Sequence, residues 1–141
     1  ALRSSTGHES VADIRREMRE LMMDHVGVYR TAELLEDALR RLEQLQDRFR
    51  NVAVMDKGKR WNTELLEAWE LGCMLDLAQV TAAAALERQE SRGGHYREDF
   101  PERDDVSWLK HSLAYRAEDG TIEMDTKPVK LGRYAPAKRV Y

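Results

Sequence analysis

Over its first two thirds the chain repeats apolar positions at helical spacing, with charged residues filling the gaps. After Ser10, the residues Ile14, Met18, Leu21, His25 and Val28 recur at steps of four and three, which places them on one helix face. Ser10 is a suitable N-cap, and Asp13 in the first turn opposes the helix dipole. Gly27 lies near the end of this helix and loosens it. Thr31 is a second cap candidate, followed by Leu35, Leu39, Leu42, Leu45, Phe49 and Val52 at the same spacing. Arg40, Arg41, Glu43, Asp47 and Arg48 fill the wet side. "MDKGKRWN" (55–62) has the glycine and polar residues of a turn. Asn62 then caps a third helix, "TELLEAWELGCMLDLAQVTAAAALERQE", whose predicted inward face is Leu66, Trp69, Cys73, Leu77, Val80 and Ala84. Its alanines, Ala82 to Ala85, allow another helix to approach closely. Trp61, just before the cap, is placed to pack as a hydrophobic staple.

Beyond Arg92 the period changes. Gly93 and Gly94 are expected to end the third helix, and Pro101 prevents a restart nearby. In "SWLKHSLAY" apolar and polar residues alternate at a period of two, "EDG" signals a hairpin turn, and "TIEMDT" alternates again. The predicted fold class is mainly α: an antiparallel three-helix bundle followed by a loop, a β-hairpin and an extended C-terminal tail. Residues 1–9 are small, polar and glycine-containing, and read as a linker or frayed end. Residues 10–141 read as a single domain, with the bundle in 10–91 and the loop, hairpin and basic tail in 92–141.

Composition narrows the functional classes. A chain of 141 residues can bury one core, and its net charge of −3 gives no basic face for nucleic acid. No apolar run approaches the roughly 20 residues that span a bilayer, and the N-terminus does not resemble a signal peptide. The single cysteine, Cys73, fits a reducing compartment; on the predicted inward face it reads as buried and inert. The four histidines are far apart in sequence and no HExxH or CxxC spacing exists, so metal binding is not expected. His25, on the first apolar stripe, reads as a packed, hydrogen-bonded core residue. The glycines form neither GxGxxG nor GxxxxGK, so phosphate or dinucleotide cradling is not expected either.

Candidate chemistry concentrates in "QESRGGHYREDFPERDD" (89–105). Glu87 to Asp105 holds seven acidic and four basic residues, whereas Lys127 to Tyr141 holds five basic and no acidic ones. The opposite biases could draw the tail back over the loop, or both could stay solvated. As a catalytic set the loop offers His95 as base and Arg92, Arg97 and Arg103 as anion clamps. It lacks a separate nucleophile and a second histidine nearby. The composition favours a loop locked by bidentate arginine–carboxylate pairs, with Gly93 and Gly94 permitting positive φ and close backbone contact.

The same loop carries a family resemblance. "ESRGGHYREDFPERDD", followed by "WLKHSLAY" and the terminal "RVY", resembles the C-terminal region of the succinate dehydrogenase/fumarate reductase flavoprotein subunits. "VYR" (28–30), "WNTEL" (61–65) and "ELGCMLDLAQVTAAAALERQESRG" (70–93) extend the resemblance from about Val11 to the C-terminus. It implies a three-helix bundle with a small β-extension, packed beside the FAD-binding and capping domains of one polypeptide. It also implies an iron–sulfur partner subunit and an oxidoreductase role in the tricarboxylic acid cycle and electron transport. The parent would sit peripherally on the cytoplasmic face of the membrane through other subunits. FAD and the dicarboxylate would be held by histidines and arginines of the parent's other domains, whose motifs do not occur in these residues. No catalytic, cofactor-binding or metal residue is therefore assigned to this chain. Arg92, Gly93, His95, Arg97 and Asp99 match the family's loop and are the candidates for a domain junction. Arg30 and Asn62 match at helix ends, where capping and packing suffice to explain them. L-aspartate oxidase shares the helical region and a similar loop, and is the first alternative. A small stand-alone helical enzyme using His95 and Arg97 is the second. Apolar surface exposed by separation from the parent could also support a homodimer of this domain.

Overall fold

The computed structural model describes residues 2–134 and 136–137; the terminal "RVY" of the sequence motif lies outside them. Three helices form the core: α1 (Val11–His25), α2 (Ala32–Phe49) and α3 (Thr63–Glu87). Each begins where a short polar side chain replaces a missing intrahelical partner. Ser10, Thr31 and Asn62 accept from the backbone N–H of Asp13, Leu34 and Leu65, as expected for N-caps. The short connections make neighbouring helices antiparallel. Arg48, late in α2, pairs with Glu9 just before α1 at 2.9 Å and with Glu17 within it at 2.6 Å.

The core is built from one stripe per helix. Ile14, Met18 and Leu21 of α1 meet Leu35, Ala38, Leu42 and Leu45 of α2, with Leu39 and Phe49 partly buried at the margin. α3 buries Ala68, Leu71, Leu75, Ala78, Ala82 and Ala85. Four of these six are alanine, so α3 packs close to its neighbours. His25 is mostly buried, with Nε2 3.1 Å from an Asp37 carboxylate oxygen, consistent with the packed histidine expected from the stripe. The stripe does not reach Val28, which is exposed: α1 stops at His25, and Val26 takes the buried position instead.

The α3 face differs from the one inferred from periodicity. Leu66, Trp69 and Leu77 are exposed, and so is Cys73, which is not the buried, inert residue expected. Large apolar residues recur on more than one side of α3, interspersed with Glu67, Glu70 and Asp76, so two stripes satisfy the 3.6-residue period. Packing selected the one richer in alanine. Trp61 also departs from expectation: it is 97% exposed at φ 57° and forms no staple.

The N-terminal segment is not a loose linker. His8 and Glu9 donate backbone N–H groups to the Asn51 carbonyl at 2.9 and 3.0 Å, and the Ala53 N–H donates to the Glu9 carbonyl at 2.9 Å. Gly7 is required for this approach, since a Cβ there would lie 1.9 Å from the Asn51 oxygen. The glycine that made the segment look flexible is what lets it dock.

After the helices, β1 (Lys110–Arg116) pairs antiparallel with β2 (Ile122–Pro128), with Leu113 opposite Asp125. Gly120 at φ 93° turns the hairpin. Arg116 anchors the hairpin to α3 through Asp76 at 3.2 Å.

The two leucines of α3 give a direct check on its orientation. Leu75→Ala is expected to cost about 2–5 kcal/mol in urea unfolding of the 141-residue chain, whereas Leu77→Ala stays within about 0.5 kcal/mol.

Candidate functional site

The loop 88–105 is organised by where α3 stops. Periodicity carried that helix to Glu90 and the glycines, but it ends at Glu87. The reason is Arg97, whose guanidinium is 1% exposed. Its Nη1 donates to the carbonyls of Ala85 and Leu86 at 2.9 and 2.8 Å. These are terminal carbonyls left without intrahelical donors, and a cation there also opposes the negative end of the helix dipole.

Asp99 completes the arrangement. Its two oxygens accept from Nε and Nη2 of Arg97, each at 2.7 Å, a bidentate pair. Oδ2 also accepts from the backbone N–H of Ala32 at 2.9 Å, the first residue of α2. One ion pair thus caps the C-terminus of α3 with its cation and the N-terminus of α2 with its anion. The Arg97 hydrogen bonds hold the Asp99 carboxyl at about 2, below the usual carboxylate range. The Glu98 N–H donates to the Arg30 carbonyl at 2.8 Å, tying the loop to the α1–α2 connection.

A second network surrounds Glu90, which is fully buried. Its carboxylate accepts from Arg88, from Arg92 Nε at 2.8 Å and Nη2 at 3.0 Å, and from the Asp104 N–H at 2.9 Å. Burial alone would raise its pKa, but these donors outweigh that and lower it. Arg92 continues to Asp105 at 2.7 Å, which also pairs with Arg103 at 2.7 Å. Arg88 spends its remaining donors on the carbonyls of Trp108 and Lys110 and on the Ser112 hydroxyl, which fixes β1 to the end of α3. Arg103 reaches the Ala137 carbonyl at 2.8 Å, so the tail does return to the loop. Among the described residues this contact is a loop cation on a tail carbonyl; the tail cations Lys138 and Arg139 lie outside them.

His95 sits between the networks. Arg92 and His95 exchange backbone hydrogen bonds across a tight turn, with Gly93 at φ 60°; Gly94 does not need positive φ. Arg30 Nη1 lies 2.9 Å from Nδ1, and Nε2 lies 3.2 Å from the Arg88 carbonyl. A guanidinium only donates, so Nδ1 is the acceptor and the proton sits on Nε2. Burial, together with the charges of Arg30, Arg97 and Arg88, lowers the imidazole pKa. His95 is therefore a neutral ring with both nitrogens committed, and it has no lone pair free for general-base work.

The structure brings all five junction candidates into this one assembly: Arg92, Gly93 and His95 in the turn, Arg97 and Asp99 in the ion pair. Sequence reasoning missed Glu90, the buried carboxylate at the centre. The alternation Arg88, Glu90, Arg92 was the available signal, because charges two residues apart share a side in extended chain but not in a helix. Arg30 does more than cap: it closes α1 through the Val26 carbonyl at 3.0 Å and fixes the His95 tautomer. Among the described residues no cluster of His, Cys, Asp or Glu could hold a metal ion, and no helix is long and apolar enough to cross a membrane.

Residues 15–141 match the family described as "Fumarate reductase flavoprotein C-term". The chain belongs to this family. It is 43% identical over 141 residues to the fumarate reductase flavoprotein subunit of Haemophilus influenzae, covering 100% of this chain and 24% of that protein. It is 41% identical over 147 residues to the succinate dehydrogenase flavoprotein subunit of Rickettsia bellii, covering 99% and 25%. A quinol fumarate reductase structure from E. coli superposes with a TM-score of 0.93 at 44% identity, over 98% of this chain and 24% of that one. The chain thus spans about a quarter of the length of the curated relatives it matches. This family favours the fumarate reductase and succinate dehydrogenase reading over the L-aspartate oxidase alternative.

The neutral histidine sets a pH dependence. The His95 pKa in the folded chain lies below the ordinary 6.5, so on acidification the unfolded chain takes up this proton first. Its contribution to stability is complete above pH 6.5 and is lost as pH falls through the folded value, at up to about 1.4 kcal/mol per pH unit. Urea unfolding of wild type and His95→Gln between pH 7.5 and 5 is expected to show a steeper loss in the wild type.

Proposed function

We propose that this chain is the C-terminal helical domain of a flavoprotein subunit that interconverts succinate and fumarate. It supports the FAD-containing part of that polypeptide and does not itself carry out the chemistry. The observation that carries this reading is the state of the loop's reactive groups. Arg88, Arg92, Arg97 and Arg103 are each engaged by carboxylates or carbonyls, and both ring nitrogens of His95 are in use. Such a loop is a rigid shape rather than a set of groups waiting for substrate. The stand-alone enzyme using His95 and Arg97 has no free base or free anion clamp in this arrangement.

The residues here do not fit a flavin site. The sheet among the described residues is a two-stranded antiparallel hairpin, with no parallel strand–helix crossover to present a glycine-rich turn to a diphosphate. FAD belongs to the parent's other domains, as does the binding of the dicarboxylate. What this chain offers them is a preset surface around Arg92, Gly93, His95, Arg97 and Asp99. It is flanked by Val28, Tyr29 and Tyr96, whose exposed side chains include an edge-to-face tyrosine pair with centroids 6.2 Å apart. The FAD-binding and capping domains are the proposed neighbours at this surface. An iron–sulfur subunit is the proposed partner of the parent, which we place on the cytoplasmic face of the membrane through its other subunits.

Arg92→Ala in the full-length subunit tests this reading, because it removes two donors from the buried Glu90. It is expected to destabilise the domain by about 3 kcal/mol and to lower flavin incorporation and assembly with the iron–sulfur subunit. Unchanged flavin content, assembly and thermal stability would overturn the reading. The purified 141-residue chain is expected to be colourless and inert with succinate, and activity without added subunits would favour the stand-alone enzyme.

A further inference from the structure

The hairpin turn combines two residues whose requirements conflict chemically. Gly120 sits at φ 93°, a left-handed conformation that side chains rarely adopt, so the turn needs glycine there. Asp119, just before it, accepts from the Thr121 N–H at 2.9 Å and from the Thr121 hydroxyl, a side-chain turn of the kind aspartate supports well. The result is the one Asp–Gly step in the sequence, and none of the eight glycines follows an asparagine.

An Asp–Gly step is reactive because glycine has no side chain to shield its nitrogen. The Gly120 nitrogen can attack Cγ of Asp119. The nitrogen's proton and the carboxyl's hydroxyl leave as water, and a five-membered imide closes. Water then reopens the ring at either carbonyl, so no other reactant is needed. Opening at the backbone carbonyl leaves isoaspartate, with Cβ now part of the main chain. The turn is closed by the Ala117 N–H on the Thr121 carbonyl at 2.9 Å, and an extra main-chain atom opposes that closure. The strand register begins beside it with Arg116 opposite Ile122. Arg116 also carries the anchor to Asp76, so isomerisation would loosen the hairpin where it is tied to α3.

Both reacting atoms are held away from this reaction. The Gly120 N–H is donated to the Ala117 carbonyl at 3.0 Å, which engages the proton that must leave. The hydroxyl and N–H of Thr121 hold the Asp119 carboxyl below its usual range and therefore ionised, and a carboxylate has no hydroxyl to lose. Ring closure needs both contacts to break at an exposed turn. We propose that Asp119 is the isomerisation site of this chain and that the Thr121 hydroxyl guards it. The site is separate from the loop 88–105, and the inference does not depend on the function of the parent.

The full-length subunit is incubated at neutral pH, either folded or unfolded in guanidinium. Isoaspartate is read by electron-transfer fragmentation of the peptide that carries Asp119 and Asp125. Asp125 precedes a threonine and is the internal control. With two hydrogen bonds to break, folded Asp119 is expected to isomerise at least about tenfold more slowly than unfolded Asp119. Thr121→Val keeps the N–H and removes the hydroxyl. In the folded subunit it is expected to isomerise about fivefold faster than wild type, and Thr121→Ser at the wild-type rate. Amide exchange at Ala117 is expected to stay slow in both variants, reporting a closed turn. Folded wild type reacting at the unfolded rate overturns the proposal, as does Thr121→Val at the wild-type rate or Thr121→Ser as fast as Thr121→Val. Loss of Ala117 protection in Thr121→Val also overturns it, because the turn as a whole is then the guard. So does isoaspartate appearing at Asp125 before Asp119 in the unfolded subunit.

Discussion

The Arg97–Asp99 ion pair is the contact on which the rest of this loop depends. Two helix ends meet at one corner of the bundle, one presenting unpaired carbonyls and the other unpaired N–H groups. A single bidentate pair satisfies both, cation to carbonyls and anion to N–H. Each partner neutralises the other, so the guanidinium can be almost fully buried without an uncompensated charge. The pair also sets where α3 ends, and thereby where the chain turns extended and begins to alternate Arg88, Glu90 and Arg92.

The second network follows from that turn. In extended chain, Arg88 and Arg92 fall on the same side as Glu90 and close over it from both directions. Arg88 then fixes β1, and Arg92 reaches Asp105. His95 is held between the two networks by a cation on one nitrogen and a carbonyl on the other. What resembles a catalytic constellation in sequence is a self-satisfied polar core, and its members are the residues an active site would use. The difference lies in vacancy: an active site leaves some of its donors and acceptors free for substrate, and here they are paired with each other.

The helices, their caps and the hairpin were legible because each depends on local information. A cap side chain, a 3.6-residue period and an alternating run flanking "EDG" all act within a few residues. The failures share the opposite property. The buried face of α3 could not be read because both of its faces carry large apolar residues at helical spacing, and only the shapes of α1 and α2 choose between them. Cys73 was misplaced by the same ambiguity, whereas Trp61 lies before the helix and turns outward at φ 57°. Residues 2–9 were misread because Gly7 looks the same in a linker as in a tight contact with Asn51, a partner more than forty residues away. At the loop, residue types pointed to arginine–carboxylate locking, but the partners of each arginine depend on a helix end that sequence placed three residues too late.

Arg88 leaves one further consequence, in the order of events on the ribosome. Its donors are shared between Glu90, just after α3, and the backbone of β1, some twenty residues downstream. Until that strand has emerged, Arg88 and the buried Glu90 lack part of their setting. The bundle can therefore form while the chain is still being made, but the loop takes its final shape only once β1 has emerged beside it. A nascent or truncated subunit that lacks β1 would carry folded helices and an unset loop.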